Sequence, residues 1–427
     1  MTSETKKTSY TSTRIACYIG YFTQAIVVNL APLFFVIFGR SYGIDNAMLG
    51  TLILVVFVTQ ILTDIVSVRL VSRISLRACA VAAHVFSFSG LVLLGTLPNI
   101  MSNTFAALLI SMIVYSIGGG LIEVVVSPIS DAIPIEENES TGGIKAAAMC
   151  LLHSAYCIGQ VLVVIITTVI LSFIGEEFWM YIPFIWALIP LFNIFNYLRA
   201  PFPQFVSEKE KTPIREIVSS KLFIAAAVLM VCSGASELAV AQWASMFAEK
   251  GLGVSKVMGD ILGPCAFALL MCVGRIVYAI MGTRVPLLKL LFGSAALCIV
   301  SYLAITLVKS PAIALAGCSL CGLSVSIMWP GVLSLTAREF PKSGAALFAL
   351  LAICGDIGCS VGPWLAGIVS EKIDTAALSA LPVFTGLAPE QIALKCGILA
   401  AVVFPVIMLF AAAAFARFKN AVRNSAK

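Results

Sequence analysis

Twelve long apolar segments follow one another along the chain and constrain its fold more than any other feature. Each can cross about 30 Å of hydrocarbon as a helix, which takes roughly 20 residues. The sequence is 60% hydrophobic and 11% charged, which is far more apolar than a soluble domain, and its mean hydropathy is +1.04. Gly and Pro interrupt segments that are too long for barrel strands. We therefore predict an all-α integral membrane protein with twelve transmembrane helices near residues 14–38, 46–70, 77–97, 104–132, 143–172, 178–198, 220–248, 256–283, 286–307, 311–337, 342–370 and 392–417.

The basic residues predict the orientation of these helices. With both termini in the cytoplasm, most of the 27 Lys and Arg residues lie on the cytoplasmic side, as the positive-inside rule requires. We predict a multi-pass protein in the lipid bilayer of the plasma membrane, or of the inner membrane if the source is bacterial. The net charge of +6 follows from this topology, and no run of basic and aromatic residues indicates a nucleic-acid partner. The outer side keeps Arg40, Lys250, Lys256, Lys309, Lys372 and Lys395.

A charged interval divides the chain into two predicted bundles of six helices. Residues 199–219 are predicted to form a cytoplasmic linker between bundles at 14–198 and 220–417. Residues 1–13 and 418–427 are predicted to be cytoplasmic end segments.

The two halves also repeat each other in sequence. GLIEVVVSP at 120–128 aligns with GLSVSIMWP at 322–330, with Gly, Leu and Pro in register, and AAMCLLHSAYCIG at 147–159 aligns more weakly with ALFALLAICGDIG at 346–358. Such a parallel repeat of six helices is the architecture of the major facilitator superfamily, whose halves rock about a solute site near the middle of the bilayer.

Glu123 is the clearest candidate for function, because a charge inside a span costs about 3 kcal/mol on insertion scales. The preceding Gly118, Gly119 and Gly120 allow another helix to approach closely, and Pro128 frees a carbonyl beyond it. Burial favours the neutral acid, which suits a proton-coupling site. The alternative is a structural hydrogen bond to a neighbouring helix.

Further polar residues inside the spans are candidate solute ligands. His153, Tyr156 and Gln160 share one face of the fifth span, spaced i, i+3 and i+7, although a buried His can also be satisfied by a neighbouring helix. Trp329 could stack on the apolar face of a sugar, or could simply pack. The full set predicted for the solute site is Asn29, His153, Tyr156, Gln160, Glu237, Gln242, Trp329 and Asp356.

Four charged residues near the cytoplasmic ends of spans 2 and 8 are predicted to form a gate. Asp64 and Arg275 occupy corresponding places in the repeat, nine residues before Arg73 and Arg284 respectively. Their charges could form and break pairs as the halves rock, or could form a fixed network that orders the loops.

A GxSxG pattern and the cysteines are both expected to carry no chemistry here. GCSVG at 358–362 fits the GxSxG pattern but lies inside an apolar helix, without the strand, turn and helix that this pattern needs. The thirteen cysteines lie almost entirely in apolar spans, where they are expected to pack as small hydrophobic residues and not as metal ligands. We therefore predict no enzyme activity and no metal site.

Several motifs resemble those of the fucose:proton symporters within the major facilitator superfamily. GLIEVVVSP resembles their fourth-helix pattern, with Ser127 in place of the usual Asn, and SIMWPGVLSLTAREFP resembles their tenth-helix pattern. VGRIVYAIMGTR is similar to the eighth-helix Gly-Arg and the loop that follows it. The resemblance implies a proton-driven sugar carrier in which Glu123 handles both proton and sugar. The chain departs from this family where Pro32 replaces a first-helix Asp and where His153 and Tyr156 replace Gln and Asn.

We therefore predict a monomeric secondary active transporter that imports a sugar or similar polar organic solute by alternating access. Protons are its coupling ion, and the proton gradient replaces any cofactor. Three alternatives stay open: a proton-independent facilitator, a drug:proton antiporter, and a receptor that binds solute without moving it. The antiporter is disfavoured because such proteins tend to carry a Gly-Pro motif in the fifth helix, whereas here GCSVGPWLAG lies in the eleventh.

Overall fold

The computed structural model describes residues 9–70, 74–134, 141–203, 214–281, 286–340 and 343–425. These residues are helices joined by turns, and they form twelve segments long and apolar enough to cross a membrane. This confirms the predicted fold class. In chain order, spans 1 to 12 are Thr11–Tyr42, Asn46–Ser67, Leu76–Ile100, Thr104–Ser130, Leu151–Ile174, Glu176–Arg199, Lys221–Gly251, Lys256–Ile280, Leu287–Leu307, Pro311–Glu339, Leu347–Lys372 and Pro389–Ala421.

Spans 1 to 6 pack among themselves, as do spans 7 to 12. In the first half, span 1 packs on spans 4 and 5 and span 3 packs on spans 4 and 6; in the second, span 7 packs on spans 11 and 12 and span 10 packs on spans 8 and 9. Contacts between the halves are mainly those of span 2 along span 11 and span 5 along span 8. A short helix at Ile214–Ser219 lies within the predicted linker.

Span 1 is broken at its middle by Pro32. It consists of a helix at Thr11–Asn29, a 3₁₀ turn at Ala31–Phe34 and a second helix at Phe35–Tyr42. Proline lacks an amide hydrogen, so it cannot bond to the carbonyl four residues earlier, which here belongs to Val28. That carbonyl accepts a hydrogen bond of 3.2 Å from Gln242 Nε2 in span 7. The break therefore turns the backbone of span 1 into an acceptor for the other half.

Span 10 is broken in a similar way by Pro330. Its two helices are Pro311–Val325 and Met328–Glu339. The carbonyl that Pro330 leaves free is that of Ser326, and it accepts a hydrogen bond of 3.2 Å from Arg275 Nε. In the first half, the related Pro128 lies within one continuous helix, Thr104–Asp131. In the repeat, Asp64 occupies the place of Arg275, and a carboxylate cannot donate to a carbonyl.

The remaining spans differ in how continuous they are. Span 12 comprises helices Pro389–Ala400 and Val403–Ser425, so its helix continues beyond the predicted end at 417. Spans 7 and 8 contain π-helical turns at Phe247–Gly251 and Ile261–Cys265. The other helices are Asn46–Leu70, Leu76–Ile100, Thr141–Ile174, Glu176–Tyr181 (3₁₀), Ile182–Arg199, Lys221–Ala241, Ala244–Met246, Lys256–Asp260, Ala266–Met281, Leu287–Leu307, Gly344–Lys372 and Thr375–Ser379.

The two halves are joined at the end of the bundle where span 1 ends and span 2 begins, which we call the distal end. Arg40 Nη2 lies 2.9 Å from Glu249 Oε1 of span 7. Asn46 Nδ2 of span 2 donates to Ser370 Oγ of span 11 over 3.1 Å. These polar contacts, made beside closely packed helices, close the distal end.

A buried polar network strengthens this closure around Asp260 of span 8. Thr168 of span 5 donates to Asp260 Oδ2 over 2.6 Å, and Ser245 of span 7 donates to Asp260 Oδ1. Lys256 Nζ lies 3.1 Å from the same carboxylate and donates to the carbonyl of Leu33 in the broken part of span 1. Residues from both halves therefore share one charge pair, whose carboxylate is buried.

Candidate functional site

A cavity lies between the two halves on the opposite side of these contacts, toward the end where span 1 begins. Eight spans contribute to it, namely 1, 2, 4, 5, 7, 8, 10 and 11. Its lining combines carboxyl, amide, imidazole, phenol and indole groups. The lining residues are Tyr21, Gln24, Val28, Phe57, Gln60, Glu123, His153, Tyr156, Glu237, Leu238, Arg275, Trp329, Asp356 and Cys359.

The structure brings most of the predicted site residues together in this cavity. The proton-coupling candidate Glu123 lies there with five of the predicted solute ligands: His153, Tyr156, Glu237, Trp329 and Asp356. These residues come from five different spans. Each of these residues would place a polar group in lipid if it faced outward, which is costly. The fold avoids this cost by directing them into one cavity.

Three predicted solute ligands are buried beside the cavity without lining it. Asn29 Nδ2 donates to the phenol oxygen of Tyr156 over 3.1 Å and to the Ala25 carbonyl over 2.9 Å, so it positions a lining residue. The amide of Gln242 donates to the Val28 carbonyl of span 1. Gln160 is 2% exposed and lies one turn beyond Tyr156 on span 5.

Arg275 is the cation of the cavity, and its charge is already engaged. Its Nη2 lies 3.8 Å from Glu237 Oε2, and its Nη1 donates to the His153 carbonyl over 3.2 Å. It therefore connects span 8 to span 5 across the two halves. In the described part of the chain, neither Glu123 nor Asp356 has an ion-pair partner. The cavity consequently has more carboxyl groups than it has cationic groups to balance them.

Aromatic side chains form part of the wall. Tyr21 packs on His153 with ring centroids 4.9 Å apart, and its hydroxyl lies 2.8 Å from Ser127 Oγ. This phenol therefore ties spans 1, 4 and 5 together. Trp329 packs against span 11 at Gly355, where an added Cβ would lie 2.2 Å from the indole. Glycine at this position gives the indole room beside the cavity.

The two predicted gate residues that the structure describes, Arg275 and Asp64, differ in their exposure to the cavity. Arg275 lines the cavity, whereas Asp64 is completely buried and an added Cβ on Gly120 would lie 3.1 Å from its Oδ1. Arg73 and Arg284 lie outside the described residues. A gate formed by these four charges stays a prediction.

Sequence reasoning missed three polar lining residues. Tyr21 and Gln24 lie three residues apart on span 1, and Gln60 lies four residues before Asp64 on span 2. Both spacings place the pair on one helix face. Uncharged polar residues at such spacings inside an apolar span are the sequence pattern that could have identified them as lining residues.

Replacing Arg275 with Met should strongly destabilise the protein. Removing one partner of a buried ion pair costs about 3–5 kcal/mol, because the other charge stays buried without compensation. The change also leaves the Ser326 carbonyl without its donor. We expect a markedly lower midpoint of thermal unfolding, followed by tryptophan fluorescence in detergent. Adding Glu237→Gln to Arg275→Met should restore part of the loss.

The matched control for this prediction is Arg417→Met, which removes an arginine near the end of span 12, away from the cavity. Its unfolding midpoint should stay close to that of the parent protein. Equal midpoints for Arg275→Met and Arg417→Met would show that the buried pair contributes nothing to stability.

The chain and its fold are similar to known proteins. The family model described as Major Facilitator Superfamily matches residues 17–363, whereas a search of curated proteins finds no match. The fold is similar to a bacterial homologue of the human lysosomal transporter Spinster, solved in an inward-facing and occupied conformation, with a TM-score of 0.67 and 15% identity over 96% of each chain.

Two other solved structures are similar to a comparable degree. The fucose:proton symporter FucP of E. coli gives a TM-score of 0.64 and 15% identity over 94% of this chain and 99% of that one. The human organic anion transporter MFSD10 gives 0.66 and 13% identity over 95% of this chain and 100% of that one. At these identities the likeness concerns the fold.

Proposed function

Because the chain belongs to the major facilitator superfamily and is therefore a membrane transporter, we propose that it couples import of a sugar or similar polar organic solute to the proton gradient. The observation that carries this proposal is the position of Glu123 in the same cavity as the candidate solute ligands. The protonation state of this carboxyl would directly change the affinity for a solute bound beside it.

Glu123 has the properties that a proton carrier needs. The end of its helix at Asp131 lies eight positions further along the chain, which is about 12 Å at 1.5 Å per residue. When protonated it is a neutral hydrogen-bond donor, and when deprotonated it is a half-buried charge without an ion-pair partner in the described part of the chain. Such a charge is costly to keep. Protonation from outside would therefore favour solute binding, and proton loss inside would favour release.

The other lining groups suit a polar solute of modest size. Tyr156, held by Asn29, offers a hydroxyl group to a solute, and the amides of Gln24 and Gln60 lie at the same wall, with both amide atoms of Gln60 and Oε1 of Gln24 buried in this state. Trp329 offers a flat apolar surface for the carbon face of a ring. A few convergent polar groups on an otherwise apolar wall are typical of small-molecule sites.

The closed distal end supports alternating access as the mechanism. With the termini in the cytoplasm, as the basic residues predict, the distal end faces outward. The structure then corresponds to the state that has shut the external path to the cavity. Import requires that the contacts of Arg40, Asn46 and Lys256 break before solute can enter from outside.

A second candidate function is exchange of an organic cation for protons. It is favoured by one observation: Glu123, Glu237 and Asp356 line the cavity, while Arg275 is engaged by Glu237 and by backbone carbonyls. Carboxylates and aromatic rings together attract cations. A proton-independent facilitator of polar solutes is the remaining alternative.

A screen followed by transport assays would test the proposal. The purified protein would be tested for thermal stabilisation by monosaccharides, sugar acids, amino sugars and lipophilic amines at two pH values. Hits would then be measured in liposomes with and without an imposed pH gradient. We expect a sugar or related solute that accumulates when the external side is acidic. Equal uptake without the gradient would indicate a facilitator, and stabilisation by cationic amines alone would indicate the exchanger.

A further inference from the structure

Asp356 of span 11 is a buried carboxylate that the protein itself leaves partly unsatisfied. It lines the cavity and is 2% exposed, yet its Oδ2 has no hydrogen-bond partner. The hydroxyl of Ser360, one turn further along the helix, donates over 2.8 Å to the main-chain carbonyl of Asp356 and not to its carboxylate. Because an unsatisfied buried charged group is costly, Asp356 calls for a partner that enters the cavity.

The buried basic side chains in the described part of the chain have partners other than Asp356. Arg275 lies 3.8 Å from Glu237 Oε2 and also donates to two main-chain carbonyls. Lys395 of span 12 donates to three main-chain carbonyls around the end of span 9. A cation that pairs with Asp356 would therefore have to come from the solute.

The indole of Trp329 packs against the residue next to Asp356. An added Cβ on Gly355 would lie 2.2 Å from this indole, so the ring rests directly on span 11 and a larger side chain would not fit beneath it. Trp329 and Asp356 both line the cavity. A carboxylate and an indole on neighbouring parts of one wall favour a cationic group, because the face of an aromatic ring attracts positive charge.

The charges of the lining residues indicate what a solute would have to supply. Asp356 lies close enough to Glu123 of span 4 for their negative charges to repel each other. With a proton on Glu123 and Arg275 paired with Glu237, Asp356 is the carboxylate among the described lining residues whose charge stays unbalanced. A proton on Asp356 would neutralise this charge but would create a buried O–H donor that needs an acceptor. An ammonium group supplies positive charge and hydrogen-bond donors together.

We propose that the transported solute is a polyhydroxylated amine, such as an amino sugar, whose ammonium group binds between Asp356 and Trp329. This inference rests on the proposed import of a polar organic solute and narrows it to one substrate class. It differs from the exchange of an organic cation for protons, because here the cation is the imported solute itself and moves in the same direction as the proton.

Paired solutes that differ in one charge test this inference on the full-length protein in detergent. The affinities of glucosamine and N-methylglucamine would be measured by isothermal titration calorimetry at mildly acidic pH, where both amines are protonated. Glucose and sorbitol are their neutral partners, and N-acetylglucosamine keeps the nitrogen without its charge. We expect each amine to bind about tenfold to a hundredfold more tightly than its neutral partner, as hydrogen bonds to charged groups imply. Equal affinities within both pairs would overturn the inference.

Asp356→Asn separates the carboxylate from the rest of the cavity. It should lower the affinity for both amines to that of glucose and sorbitol and leave the affinity for these neutral solutes unchanged. The control Glu371→Gln removes an exposed carboxylate at the distal end and should keep the preference for amines. A preference that survives in Asp356→Asn would contradict the proposed site. If Asp356→Asn does not fold, Trp329→Leu should reduce the same preference by about threefold or more, since it removes the aromatic face.

The same titrations distinguish a failure of this inference from a failure of the proposed function. If glucose or sorbitol binds and the amines bind no more tightly, import of a neutral sugar stands and the amine inference is wrong. If none of the five solutes binds, both the inference and the proposed import of sugars are wrong.

Discussion

Glu123→Gln is expected to abolish proton-driven solute accumulation while solute binding persists. Glutamine has nearly the shape of the protonated acid and offers a donor at the same place, so the binding state of the cavity should be preserved. It cannot release a proton, so the step that couples solute release to the internal side is lost. Accumulation under an imposed pH gradient should fall to the level of protein-free liposomes. Exchange of labelled for unlabelled solute, which needs no net proton movement, should continue.

The control for this result is Glu177→Gln, which changes a carboxyl at the start of span 6, away from the cavity. It should accumulate solute like the parent protein. Gradient-driven accumulation that survives in Glu123→Gln would place the coupling proton elsewhere. Asp356 would then be the next residue to change, because it lines the same cavity and its Oδ2 is buried without a hydrogen-bond partner.

The number of spans and their order could be predicted from sequence because crossing a bilayer imposes a length and an apolar composition that soluble helices do not share. The breaks within the spans could not. Pro32 and Pro330 interrupt their spans, whereas Pro128 does not. In both interrupted spans a donor from elsewhere takes the freed carbonyl, as Gln242 does for Val28 and Arg275 does for Ser326. Such partners are distant in sequence.

Much of the candidate site was predictable for a similar reason. Charged and imidazole groups inside an apolar span are costly, so Glu123, His153 and Asp356 stand out in the amino-acid sequence itself. Gln24 and Gln60 are less costly and therefore less conspicuous, although they line the cavity. Asn29 carries the same kind of amide but faces Tyr156 instead. Which side of a helix an amide faces depends on the packing of neighbouring spans, and the sequence pattern of one span does not fix it.

The repeat explains why the two halves contribute different chemistry to one cavity. Glu123 corresponds to Val325, and Asp64 corresponds to Arg275. The second half thus carries its cation where the first half carries a carboxylate. Arg275 contacts Ser326, His153 and Glu237, whereas Glu123 of the first half has no ion-pair partner in the described part of the chain. This difference between the halves is the structural basis of the proton role that we propose for Glu123.

A disulfide across the distal end should stop transport completely. The variant that combines Asn46→Cys and Ser370→Cys replaces two side chains that touch, since Asn46 Nδ2 lies 3.1 Å from Ser370 Oγ. These residues belong to spans 2 and 11, which must separate at this end if solute is to enter from outside. Oxidation would fix the halves together and trap the closed state. We expect solute uptake to fall to background after oxidation and to recover after reduction.

Single-cysteine variants and the parent protein provide the controls for this cross-link. The twelve cysteines that the structure describes are unpaired, and all except Cys354 are buried, so oxidation should leave transport by the parent unchanged. Loss of two titratable thiols in the double variant would verify that the bond has formed. If the cross-linked protein still transported solute at the parent rate, the distal contacts could not be the external gate, and entry would have to follow another path between the halves.

Because binding from the opposite side does not require this end to open, the oxidised protein should still bind solute. This binding would distinguish a trapped transporter from an unfolded one.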